Sequence, residues 1–497
     1  MEENKQPQPL PPTVVALLKK PVPLPSGKRE FIFGGLILLF GWLLVNSLWF
    51  GGFNLGAAIA LTGIILLSTG YLLLQGHKLT GYSATLLALC LVLCAAFARS
   101  NDAPVKVFMV FFLIGGVNLS LCLLAGQNRF PSSGICSLAD IPRTVINLTL
   151  SKIDPALRGL IQGLRNSGNA GKKGLSVVLG LAVAFPVLLL LVFLLSSADA
   201  AFDALLSKLP DFSLEDLLVT LIFGTLFSVF FYIRAVSLHG SEKEPPKPQK
   251  AFGVQALTVN TVLIVVAVVY LVYLFSQLAY FSGGFLGLLP EEYTVAEYAR
   301  RGFFELGWLC GINLLIIALA MGLVKGSAPK FTRFLCLFVG LVTVFFAASA
   351  SAKMFLYIDS FGLTRLRVLT QVIIFWLGLT TVLVCIWLFV PKLSYMKAAL
   401  ILAMVLCAAV AWADVNTVVA RYNVNAYQSG KLETVDVDYL QYLGPEARPY
   451  IAQLTQDADP DVAQNARDAL NKDSYTFRDF RDWNYVLQLT GKSDNNT

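Results

Sequence analysis

Apolar runs of about 20 residues, the length a helix needs to cross a ~30 Å hydrocarbon core, recur along the chain from residue 31 to residue 413. They fall at approximately 31–50, 55–75, 83–98, 105–125, 174–196, 215–235, 254–278, 303–324, 331–353, 368–390 and 395–413. In hydrocarbon the backbone must satisfy its own hydrogen bonds, which an α-helix does within each segment. The pattern therefore predicts an all-α fold, a polytopic transmembrane helix bundle of about 11 spans. The run at 83–98 is short and rests on Ala84 to Ala98, and Pro186 would kink the run at 174–196.

Past Asp414 the apolar runs stop, and residues 414–497 read as a small helical extramembrane tail. Val415 to Ala426 continues the last helix or begins a new one, and Gly444–Thr455 and Pro460–Leu470 follow as a helical pair. Ala447, Tyr450, Ile451 and Leu454 share one helical face. Asp459 and Pro460 suit the cap and first position of the second helix. The pair looks like a single HEAT-type repeat. One repeat cannot bury its own face, so it is expected to dock, with Phe477, Phe480, Trp483 and Tyr485 as anchors. At the other end, residues 1–30 are Pro-rich, lack an apolar core and read as a disordered cytoplasmic tail.

Composition supports the membrane assignment. The chain is 56% hydrophobic and 14% charged, with a mean hydropathy of +0.68, whereas soluble proteins carry roughly 25% charged residues. The net charge of +7 does not point to nucleic acid, because the basic residues are scattered over loops. Alternate loops together with the N-terminal segment hold 22 of the 38 Lys and Arg and 7 of the 31 acids. By the positive-inside rule this side is cytoplasmic, which places the tail outside. Residues 127–173 form a long basic loop with amphipathic spacing, and 237–252 is a Pro-containing linker. The membrane part thus divides into halves at 31–236, with six spans, and 253–413, with five.

Little catalytic chemistry is legible. Seven of the eight cysteines lie in apolar runs and none forms a C-x-x-C pair, so neither a disulfide framework nor a metal site is predicted. His77 and His239 are the two histidines, both on the predicted cytoplasmic side. No phosphate loop, H-E-x-x-H or G-x-S-x-G occurs, and no cofactor is predicted. The spans carry almost no ionisable residue at mid-depth; their polar residues include Asn46, Asn118, Asn260 and Asn313, with Thr and Ser, and an Asn there ordinarily bonds to a neighbouring helix. No carboxylate sits at mid-depth, which argues against a proton- or ion-driven transporter.

Polar density collects instead at the predicted outer ends. One cluster is Glu297, Tyr298, Arg300, Arg301 and Glu305, in which Glu297, Arg301 and Glu305 form a stripe at four-residue spacing. A second, between two long apolar runs, holds Tyr357, Asp359, Thr364, Arg365 and Arg367, with Gly362 permitting a turn. A third is Arg421, Tyr422 and Asn423, where the chain leaves the last span. All three face outside by this topology, and they read either as independent interface anchors and salt bridges or as the parts of one water-facing vestibule. Arg365 and Arg367 point about 200° apart on a helix. One is therefore expected to pair with Glu297, Glu305 or Asp359, and the other to meet a ligand or partner.

Tyr298–Phe303, Phe361–Arg367, Arg421–Val424, Val437–Leu440 and Gly444–Ala447 together resemble bacterial membrane proteins of domain-of-unknown-function family 4173, akin to family 4153. The resemblance covers about residues 250–470 and implies an integral membrane location and fold class, with no activity attached. The expectation is a non-enzymatic envelope scaffold or signalling component in the bacterial cytoplasmic membrane. Its partners would be the lipid bilayer and envelope proteins met through the tail. The alternative is a transporter or lipid-linked substrate handler in which Arg300, Arg301, Arg365 and Arg367 meet an anionic headgroup. An envelope enzyme using Glu297 or Asp359 as base is the third reading.

Overall fold

A computed structural model of the chain describes residues 27–131, 135–156, 214–241, 253–285, 303–325, 328–472 and 480–486, with single positions at 158, 191, 194, 195, 198 and 488. Among these residues no strand occurs, only an isolated bridge between Val254 and Val324. The membrane helices are α1 (Lys28–Phe50), α2 (Leu55–Leu74), α3 (Gly81–Ala96), α4 (Ala103–Ala125), α5 (Leu214–Gly240), α6 (Ala256–Phe285), α7 (Phe303–Leu323), α8 (Lys330–Phe361), α9 (Arg365–Phe389) and α10 (Tyr395–Ala413). The tail contributes α11 (Val415–Gln428), α12 (Val437–Tyr442), α13 (Arg448–Gln453) and α14 (Pro460–Lys472).

Among the described residues nine helices are long and apolar enough to cross a membrane, and α3 is apolar but shorter. The protein is a polytopic helical membrane protein. The predicted run at 174–196 lies outside the described residues except at 191, 194 and 195, as do residues 1–26, much of the 127–173 loop and most of the linker. Large apolar side chains are bare on the helix exteriors, such as Leu257 at 75%, Phe275 at 76% and Trp308 at 74% exposed. So much exposed apolar surface requires lipid around it.

Local signals set the helix boundaries. Thr80 and Ser83 form a capping box that starts α3. Asp102 caps α4 with a proline in its first turn, and Gly126 ends it at φ 67°. The sequence pattern placed a span at 331–353, but α8 runs on to Phe361. Its 32 residues make about 48 Å at 1.5 Å each, so its final turns stand beyond the hydrocarbon.

The chain forms two compact units interleaved in sequence, Met1–Asn46 with Gly63–Lys78 and Pro142–Lys243, and Ser47–Thr62 with Leu79–Ile141 and Glu244–Thr497. This division differs from the halves drawn at the linker. In the first unit Phe33 stacks on Tyr71 at 4.6 Å, and buried Glu30 accepts from Gln75 Nε2 at 2.9 Å. Trp42 Nε1 donates to Thr225 Oγ1 and Asn46 Nδ2 to Thr220 Oγ1, each at 3.0 Å. The chain's two histidines meet there, His77 Nε2 to His239 Nδ1 at 3.1 Å.

The second unit packs α7, α8 and α9 around Ile317, Val339, Phe346 and Leu388, all under 2% exposed. Polar groups inside its helices are consumed across neighbours. Tyr270 donates to Asn313 Oδ1, Asn313 Nδ2 donates to Thr343 Oγ1 at 2.9 Å, and Thr332 donates to Asn260 at 2.7 Å. Such bonds position neighbouring helices against one another.

Candidate functional site

The stretch between α8 and α9 is built around Gly362, which has a φ of 75° and a ψ of −179°. That backbone conformation is accessible to glycine and strained for other residues. A Cβ there would stand 2.6 Å from Asn423 Oδ1. The closeness has a purpose. Asn423 Oδ1 accepts from the Leu363 N–H at 2.7 Å, while its Nδ2 donates to the Leu363 carbonyl at 2.8 Å. One amide on α11 thereby satisfies both backbone groups of a residue in the helix break. Thr364 next caps α9, its hydroxyl oxygen accepting from the Arg367 N–H at 3.3 Å.

The two arginines then part. Arg365 Nη1 lies 3.5 Å from Asp102 Oδ2, with side-chain exposures of 16% and 1%. Its guanidinium sits 4.5 Å from the Tyr442 ring centre, and its backbone N–H donates to the Tyr439 hydroxyl at 3.0 Å. Arg365 therefore ties α9 to α4 and to the tail. Arg367 donates from Nη1 to the carbonyls of Phe361 (3.0 Å) and Gly362, and lies over Tyr357 at 4.3 Å. Among the described residues no carboxylate pairs with it. It stands on the rim of a cavity of about 400 Å³ whose walls include Phe304, Tyr357 and Leu366 and whose polar edge is Thr364, Arg367 and Thr370.

Beneath the tail lies a buried polar chamber. Asp102 Oδ1 accepts from the Val105 N–H at 2.9 Å, and Lys106 Nζ donates to Asn54 Oδ1 at 2.9 Å. Asn484, fully buried, donates to the carbonyl of Ser100 at 3.1 Å and to Asn54 Oδ1 at 3.3 Å. Asp414, 5% exposed, has a φ of 55°, the one positive value outside glycine among the described residues. It turns α10 into α11 while its Oδ2 accepts from the Thr417 hydroxyl. Glu446 is 1% exposed and lies beside Asn101 and Asn416, yet neither carboxylate oxygen completes a well-formed hydrogen bond.

Burial pushes the Glu446 carboxyl from its ordinary 4.5 up to about 7; its own backbone N–H opposes the rise and the nearby Asp414 charge adds to it. Burial likewise raises Asp414, with Thr417 opposing. Among the described residues no group of three or more His, Cys, Asp or Glu is arranged to hold a metal ion. The chamber's acids face amides, Lys106 and Arg365 instead.

A family model described as "Domain of unknown function (DUF4153)" matches residues 32–454, most of the chain. The chain belongs to the DUF4153 family. No curated protein and no solved structure matches it. The DUF4153 match reaches well beyond the 250–470 stretch that carried the motif resemblance and takes in both units.

In this DUF4153 member the second and third predicted clusters meet, through Asn423 on Leu363 and through Asp359. The Asp359 carboxylate accepts from Lys431 Nζ at 2.6 Å and faces the Tyr422 hydroxyl at 3.4 Å. The Lys431 ammonium is raised by that bond, but both partners are about half exposed, so the pair contributes little. Arg421 is exposed on α11. Of the first cluster, Glu297, Tyr298, Arg300 and Arg301 lie outside the described residues, and Glu305 is exposed in the first turn of α7 near Lys353. The partner of Arg365 is Asp102, which sequence reasoning did not single out.

Asp102, Asp414, Glu446 and Asn484 are the residues that reasoning missed. Asp102 carried a local signal, an Asp two residues before Pro104 at the head of an apolar run. Glu446 lay inside the Gly-Pro-Glu-Ala motif without a role. Of the aromatic anchors expected in the tail, Phe477 lies outside the described residues. Phe480 is 54% exposed, and Trp483 spends its indole N–H on Gln488. Beside the Asn484 side chain, docking uses backbone bonds, with Gly56 and Leu55 donating to the carbonyls of Arg481 and Trp483, and Tyr485 donating to Ala98. Tyr485 also receives the Arg99 guanidinium at 5.3 Å.

Proposed function

We propose that this protein is a non-enzymatic scaffold of the bacterial cytoplasmic membrane whose helical tail, on the extracytoplasmic side, is the surface met by an envelope partner. The observation that carries the reading is the fastening of the tail. Asn423, Tyr439, Asn484 and the Arg365–Asp102 pair fix it to the ends of α4, α8 and α9 through buried and half-buried groups, which holds its exposed face in one orientation. The absence of acidic or basic side chains from the middle turns of the described spans, together with the satisfied asparagines, supports a scaffold over a proton- or ion-driven carrier. The charge asymmetry of the loops supports the orientation.

Photo-crosslinkers at exposed Gln464 and Asp468 on α14, in intact cells, test the reading. Discrete adducts are expected, and they should disappear when Arg365→Ala, Asn423→Ala and Asn484→Ala together free the tail. Adducts that persist unchanged with the freed tail would overturn it. Reporter fusions after Asn423 and near Glu244 test the orientation separately, and a cytoplasmic signal after Asn423 would reverse it.

A further inference from the structure

Among the described residues, the groove beside Arg367 is a feature of the tail-side end that the fastening of the tail does not use. Its apolar walls are open: Phe304 is 55% and Leu366 is 66% exposed, both on membrane helices. Tyr357 forms the floor beneath the Arg367 guanidinium. The depth is set by helix length. α9 has 25 residues, about 37 Å at 1.5 Å each, which exceeds the ~30 Å hydrocarbon core. The first turn of α9, which holds both Leu366 and Arg367, therefore stands at headgroup level, with Thr370 about one turn deeper and Phe304 in the first turn of α7.

The guanidinium is also preorganised. Nη1 is spent on the Phe361 and Gly362 carbonyls, which close α8, and the ring of Tyr357 fixes the plane. Of five N–H donors, those on Nε and Nη2 remain, in the forked arrangement that matches two oxygens of a phosphate. Arg365, by contrast, is already paired with Asp102, so the uncompensated positive charge at this end of α9 belongs to Arg367. An anion with an apolar body is what this combination fits.

We propose that the groove is a binding site for an anionic glycerophospholipid of the surrounding bilayer, with its phosphodiester on Arg367 beside Thr364, its glycerol region against Thr370, and an acyl chain along Phe304 and Met354. The proposal does not depend on the scaffold reading, since it concerns lipid retention and makes no use of a protein partner.

Native mass spectrometry of the full-length protein in mild detergent provides the test, with phosphatidylglycerol, phosphatidylcholine and inorganic phosphate added in turn. The wild type is expected to retain one phosphatidylglycerol about ten-fold more than phosphatidylcholine, whose phosphodiester is the same but whose choline cation opposes the Arg367 charge. Arg367→Gln should lose that preference, and the exposed-residue control Arg421→Gln should keep it. Thr370→Trp fills the groove while leaving the guanidinium intact, so it should lower retention even if Arg367→Gln folds poorly. Unchanged phosphatidylglycerol retention in Thr370→Trp and Arg367→Gln would overturn the proposal. So would displacement of the lipid by millimolar inorganic phosphate, which would mark a site for free anions.

Discussion

Glu446→Gln is the perturbation that most directly probes the chamber under the tail. In the docked state the Glu446 carboxyl titrates at about 7, and once the tail opens to water it returns to about 4.5. That difference corresponds to about 3 kcal/mol, a change on the order of 100-fold in the opening equilibrium. The sign follows from proton binding. Between pH 4.5 and 7 the docked form holds the proton and the open form releases it, so opening becomes easier as pH rises through this window and levels off above it. Asp414 is raised by burial and acts in the same direction, while Lys106, Arg365, Asn101 and Asn416 face the acids in docked protein. Hydrogen exchange of α11–α14 amides in the full-length protein in detergent, at pH 5 and pH 8, reads the opening directly. Wild-type protection should fall strongly at pH 8. The Gln variant should retain protection at pH 8 and show only the shallower slope left by Asp414. Equal pH slopes in wild type and variant would refute the reasoning, because the buried carboxylate would then carry no cost.

Other perturbations bear on the remaining contacts. Gly362→Ala forces an L side chain to φ 75° and against Asn423, and should cost about 1–3 kcal/mol from the backbone alone, read as a lowered unfolding midpoint in detergent. Asn423→Ala leaves the Leu363 N–H and carbonyl without their partner and should loosen the α8–α9 break by about 1–3 kcal/mol, measured by exchange of the Leu363 amide. Asn313→Leu removes the link between Tyr270 and Thr343 and should lower stability by roughly 1 kcal/mol, with no loss of lipid retention. Asp359→Asn should leave the unfolding midpoint unchanged, since its pair with Lys431 is open to water.

Hydropathy alone was enough to locate the nine described helices long enough to cross a membrane and the shorter apolar α3, because each apolar run is tested against the bilayer independently of its neighbours. The same locality explains the legibility of the Gly362 turn, of the helix at Pro460 and of a separation between Arg365 and Arg367, all of which depend on residues a few positions apart. Local pattern also extends to the caps: Thr364 and Asp102 start helices as their residue types allow.

The tertiary structure decided which polar groups become neighbours. Asn484 reaches the Ser100 carbonyl across 384 residues of sequence, and Asn423 reaches Leu363 across 60. Nothing in the periodicity of either segment encodes those pairings, since a buried Asn, Asp or Glu reads the same whether its partner is a backbone, an amide or a charge. The decision rests on the cost of leaving a polar group unpaired away from water. That cost is met only when the span ends and the tail are folded together, and it is why Arg365 was taken up by Asp102 while Arg367 was left facing the groove.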